Sequence, residues 1–249
     1  MPDMPRVFEL WVYLSSTPLF GLAATLVVYV MAHAAYTRVG QQPWANPVLW
    51  TVAVLAAGLL ITDVPYPTYF SGAQFIHFLL GPAVVALAWP LWQRRAELRA
   101  HWAKLLAVAL AGGLTASGSA WLLGWLFDLP TEVVLSLVPK SVTAPVAMGI
   151  AEKIGGIPAL AAVFAVITGL VGAIAGKYLF DALKIRTDPN GWAARGFALG
   201  TASHGIGAAR ALQVNADAGA YAGLALGLQV VLASLLIPLT FKLLQIIGV

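Results

Sequence analysis

The stretch "VPKSVTAPVAMGI", residues 138–150, sets Lys140, Ser141 and Thr143 between Pro139 and Pro145 in a chain that otherwise reads as membrane. A lysine at bilayer depth costs about 2.5–3.5 kcal/mol on the insertion scale, so a residue of this kind faces protein or water. Each proline lacks an amide proton and leaves carbonyls of the preceding turn without helical partners. Those carbonyls, with the two hydroxyls, make a polar concavity around one positive charge, and such a pocket suits a small carboxylate. In the competing reading Lys140 lies shallow and snorkels to the headgroups, while the prolines only turn the chain.

The rest of the sequence supplies the membrane. Of 249 residues, 60% are hydrophobic and only 10% charged, against roughly 25% charged in a soluble domain. This composition predicts an all-α polytopic membrane protein, read as a single transmembrane domain over residues 1–249. Twenty-four glycines and fifteen prolines fit helices broken where neighbours or cavities satisfy the freed backbone. The chain has no cysteine, which excludes disulfides and thiolate metal sites. Asp3 and Glu9 in the leader, and the long apolar run after it, argue for a retained first span despite the cleavage-like Ala32-His33-Ala34.

Spanning needs about 20 apolar residues. Five stretches approach or exceed that length: Thr17 to Thr37, Phe70 to Trp92, Leu105 to Phe127, Ile157 to Gly176 and Gly219 to Phe241. Pro47 to Thr62 is shorter. Thr131 to Gly155 and Trp192 to Leu212 are apolar but carry charges and helix breakers, which brings the expectation to about eight segments, some broken or re-entrant, in a transporter-like arrangement. The basic clusters Arg94, Arg95, Arg99, Lys104 and Lys177, Lys184, Arg186 should both face the cytoplasm. If residues 131–155 crossed once, the second cluster would land on the wrong side. Either that segment enters and returns on one face, or the charge rule fails here.

A second constellation is "ARGFALGTASHGIGAARAL", residues 194–212. Gly196, Gly200, His204 and Gly207 would form a flat stripe on a helix. His204 sits among Gly205 and Gly207, which make the helix easy to interrupt, and can donate a hydrogen bond, change charge or pair with a backbone carbonyl. Thr201 and Ser203 add donors. Arg210 offers a bidentate fork for a carboxylate, whereas Arg195 marks the cytoplasmic boundary. Pro82, in "LLGPAVVALAWPL" at 79–91, echoes the proline placing of residues 136–148, as paired broken helices do in secondary transporters. Four dispersed histidines give no metal pattern, no cofactor motif is present, and "GAIAGK" at 172–177 lacks the spacing of a phosphate loop. Ser203 beside His204 is a poor nucleophile–base pair, since sequence neighbours rarely align for catalysis.

At these residues the sequence resembles the LrgB/CidB family, whose plant relatives include the plastid glycolate/glycerate translocator. The resemblance rests on residues 79–91, 137–164, 167–176 and 194–212 and covers about 17–245. It implies two functions. One is carriage of a small carboxylate anion such as glycolate, glycerate or pyruvate by Lys140, Ser141, Thr143, Thr201, Ser203, His204 and Arg210. The other is antiholin-like control of murein hydrolase activity and autolysis with a small LrgA/CidA-type membrane partner. It also implies a bacterial plasma membrane, and a homo-oligomer is compatible with it; nothing points to nucleic acid. The family carries threonine where Ala144 and Ala208 stand, so hydroxyls that bear on substrate preference are missing. The broken-helix architecture of bile-acid symporters is a looser analogy.

Overall fold

The computed structural model describes residues 19–79, 82, 92 and 95–247. Among them the regular structure is helical: α1 (Phe20–Arg38), α2 (Pro47–Thr62), α3 (Tyr66–Phe78), α4 (Arg95–Leu126), α5 (Thr131–Leu137), α6 (Ala144–Ile154), α7 (Pro158–Ala182), α8 (Pro189–Val214) and α9 (Ala216–Ile247). Proline opens α2, α7 and α8 and sits in the first turn of α6, where its missing N–H would have no helical partner anyway. Asn46 caps α2 by accepting from Val48 N at 2.9 Å and Leu49 N at 3.2 Å. Four helices are long and apolar enough to cross a bilayer: Phe20–Arg38, Arg99–Leu126, Pro158–Ala182 and Ala216–Leu243. The fifth expected span, Phe70 to Trp92, is helical to Phe78 and otherwise lies almost wholly outside the described residues.

Two compact units divide the chain, Met1–Ala86 and Leu87–Val249. In the first, α1 packs on α2 and α3. Gly21 of α1 admits the Tyr69 carbonyl, and Thr25 Oγ1 lies 2.7 Å from Tyr69 OH. The second unit carries both functional constellations and is built around two chain reversals.

The first reversal is α5–α6. Ile157 N donates to Ser136 Oγ at 2.7 Å across 21 residues, whereas one continuous helix of that length would separate them by about 31 Å. The segment therefore doubles back, with Pro139 in the turn and Pro145 starting the return helix rather than breaking it. Gly155, in the left-handed region at φ 88°, ends α6. Val134 fills the space opposite Gly124 near the end of α4, and Lys140 reaches Ala116. The hairpin thus runs antiparallel along α4 to a tip roughly 15 Å of helix rise from Leu126, the middle depth of a spanning helix. α7 then begins beside Ser136 and runs back, so Lys177, Lys184 and Arg186 reach the same end of this unit as Arg95, Arg99 and Lys104. The conflict between the charge clusters and a single crossing is resolved by the hairpin.

The second reversal lies within α8 and is not the straight glycine stripe the sequence suggested. Ser203 (φ −125°, ψ 15°) and His204 (φ 41°, ψ −134°) are non-helical, so the break falls on these two residues and not on Gly205 or Gly207. A Cβ at Gly207 would lie 2.6 Å from Leu199 O, a pair separated by about 12 Å in an unbroken helix. Gly196 abuts Ala218 and Gly200 abuts Ala222, in the same direction along the chain. Ala218 is four residues beyond the end of α8 at Val214, so it can meet Gly196 only if the second half of α8 returns along the first. Ala208, Ala211, Ala218 and Ala222 bury one another in the small-residue core of this sandwich, flanked by Trp192 and Leu199. Asn215 makes the sharp connection, its Oδ1 accepting from Asp217 N at 2.9 Å and Ala218 N at 3.1 Å.

Because a Cβ on Gly200 would strike the Ala222 backbone while one on Gly205 meets nothing within 4 Å, Gly200→Ala should destabilise the fold by about 1–3 kcal/mol and Gly205→Ala should leave it nearly unchanged. Thermal unfolding of the two variants in detergent checks the contrast.

Candidate functional site

The two tips meet. A cavity of about 1060 Å³ is lined by Lys140 and Ser141 from the first tip and by Thr201, Ala202 and Ser203 from the second, with walls from α4, α7, α8 and Tyr221 of α9. It extends along Lys104 and Leu105 of α4 and Ala193 and Ala194 of α8, toward the basic end of the unit. Glycines on both walls make room for the polar side chains. Gly112 faces the Thr201 methyl, Gly172 faces Ser203 Oγ, and Gly169 faces the His204 ring. Any Cβ at these positions would displace the side chain opposite.

The electrostatics of the cavity are one-sided. Lys140 Nζ donates to Ala116 O at 3.4 Å and Ser141 Oγ at 3.5 Å, long contacts that leave donor capacity unused. Among the described residues no carboxylate pairs with it. Thr201 is only 7% exposed, and its Oγ1 has no hydrogen-bond partner among the described residues. Hydroxyls in helices usually return a bond to the preceding turn, as Thr51 does to Pro47 O at 2.6 Å; Thr201 does not. An ammonium without a counter-charge on the cavity and an unsatisfied hydroxyl buried in its wall suit a small anion with oxygen acceptors.

The other expected site residues stand elsewhere. His204 is buried, and its Nε2 lies 2.8 Å from Ala165 O of α7, which pins the second tip to that helix. Thr143 precedes α6 without capping it and lines neither this cavity nor its smaller neighbour. Arg210 is buried in the return half of α8 and does not line the cavity either. The contiguous motif gathers residues that the reversal then sends to different faces. Pro82 is helical, but its neighbours fall outside the described residues. Arg195 is a structural anchor: it pairs with Asp181 at 2.9 Å, donates to Ile185 O, and has Phe180 and Trp192 rings 5.7 and 5.6 Å away. Thr168 lines the cavity, and Gln229 stands behind it on α9; neither was singled out by sequence, because each is one neutral polar residue in an apolar run.

The LrgB-like family profile matches residues 25–243. The chain belongs to that family. Bacillus subtilis YxaC, an uncharacterized protein, is 35% identical over 222 residues, 89% of this chain and 94% of its own. An uncharacterized protein of Haemophilus influenzae is 35% identical over 198 residues, 80% of this chain and 84% of its own. The holin-like protein CidB of Staphylococcus aureus is 30% identical over 218 residues, 86% of this chain and 91% of its own. No solved structure matches. This LrgB-like chain is thus a multi-pass membrane protein whose two reversed segments fall within the matched region.

His204→Leu removes the ring's hydrogen bond to the Ala165 carbonyl while keeping a side chain of similar size, and should lower stability by about 1–3 kcal/mol. Chemical or thermal unfolding of purified protein measures it.

Proposed function

We propose that this LrgB-like protein carries small monocarboxylates of the glycolate, glycerate or pyruvate type across a bacterial plasma membrane, with its basic end in the cytoplasm. The observation that carries the reading is the pairing, on one cavity, of the uncompensated Lys140 ammonium and the unpartnered Thr201 hydroxyl where two chain reversals meet. Polar groups this costly at mid-depth are a feature of substrate sites in carriers. Lys140 supplies charge, Thr201, Ser141 and Ser203 supply hydroxyls, and His204 holds the second tip in place. Arg210 acts from outside the cavity, through the packing of the return half-helix.

A second reading is favoured by one specific finding, the holin-like name of the CidB relatives. In it the protein modulates a pore formed with a small LrgA/CidA-type membrane protein and so affects murein hydrolase activity and autolysis. A carrier can also influence lysis through metabolism, so the two readings are separated by biochemistry rather than by phenotype.

In proteoliposomes, uptake of at least one of glycolate, glycerate and pyruvate is expected. Lys140→Ala should lower it about 10- to 100-fold and Thr201→Val by up to about 10-fold, the effects of losing a charged and a neutral hydrogen bond. No uptake of any of the three, together with a small membrane protein co-purifying from native membranes, would favour the pore-modulating reading.

A further inference from the structure

A second cavity, about 280 Å³, lies on the other side of the first tip. Its walls are α4 between Ala109 and Trp121, Val138, Pro139, Ser141 and Val142 of the first tip, and α9 between Gln229 and Phe241. It therefore runs toward the end of α4 opposite the basic cluster. Ser141 lines both cavities. Two adjacent glycines of α4 divide them: Gly112 faces Thr201 of the inner cavity, and Gly113 faces the Gln229 amide. Gln229 is 3% exposed, and its Nε2 donates to Ala109 O at 2.5 Å. A Cβ at Gly113 would lie 2.7 Å from its Oε1, so the amide occupies the place a side chain on α4 would take.

We propose that the two cavities are the two halves of one permeation route, and that Gln229, folded into the notch at Gly113 and tied to Ala109 O, is the side chain that closes it beside Ser141. A carboxamide suits this task. It satisfies a backbone carbonyl when closed, and when released it offers N–H donors to a passing carboxylate. A second cation beside Lys140 would hold the anion more firmly, an anionic side chain would repel it, and an apolar one would leave the route without a polar step. The inference rests on the carrier reading for its substrate but not for its geometry, and it identifies a gating residue at the same site.

The absence of native cysteine allows a direct test with single cysteines in oriented membranes and membrane-impermeant thiol reagents. Ala198→Cys lines the inner cavity and Ser117→Cys the outer one. Ala198→Cys is expected to react from the basic face and Ser117→Cys from the opposite face. Adding Gln229→Ala should raise labelling of Ala198→Cys from the opposite face about five- to tenfold, the population shift that follows loss of one buried amide hydrogen bond. Labelling from the basic face, unchanged, reports that the variant is folded. Gly113→Ala, which expels the amide without altering it, should give the same change if Gln229→Ala does not fold. Both cysteines reacting from one face only, or sidedness unaffected by either substitution, overturns the proposal. Altered sidedness without uptake of any carboxylate leaves the gate standing and removes the carrier reading. Uptake with unaltered sidedness does the reverse.

Discussion

Backbone groups freed by a broken helix have no water to turn to inside an apolar slab, so helices can be interrupted there only where the interruptions are covered by protein or line a cavity. The second unit meets that constraint by bringing its two interruptions together. The second tip is held by the bond of His204 to Ala165 of α7, and the first lies against α4, where Lys140 reaches Ala116. The first reversal is also tied together where Ile157 N donates to Ser136 Oγ. α9 completes the frame, packing its start against α8 and its end against the first hairpin through Ile237.

Small residues make this geometry possible. Where α8 doubles back and α9 lies alongside, three helical layers share an alanine core, with Gly196 and Gly200 at backbone contact with α9. Close approach of this kind replaces the driving force that hydrophobic burial gives in water, since lipid tails are as apolar as the side chains. The strained backbone of His204, a non-glycine residue at φ 41°, survives because its ring is fixed to Ala165 and fills the space at Gly169. Strain at a cavity-lining turn is often tied to function.

The first reversal was legible in the sequence because it left two independent marks. Pro139 and Lys140 interrupt an apolar run, and the basic clusters at residues 94–104 and 177–186 cannot share a side if residues 131–155 cross. The second reversal left no such marks. Its break falls on Ser203 and His204, residues compatible with a helix, and the glycines around them read as a packing stripe, which Gly196 and Gly200 do form. Charge could not help either, because Asp217 and Lys242 are the only charged residues after the segment, too few to show on which side the chain emerges. Within the candidate site, Lys140, Ser141, Thr201 and Ser203 line one cavity, while Thr143, His204 and Arg210, grouped with them for their chemistry and the family resemblance, do not line it. Gln229 was invisible for the opposite reason: its importance comes from the gap at Gly113, more than a hundred residues away.

Everything proposed for this protein depends on α8 turning back at residues 203 and 204. Spin labels at Asn190 and Gln213, near the two ends of that 26-residue segment, measure this directly by pulsed electron paramagnetic resonance in the cysteine-free chain. A reversed segment places the labels within about 20 Å of each other, whereas a continuous helix places them about 35 Å apart, and the longer distance would contradict the meeting of the two tips.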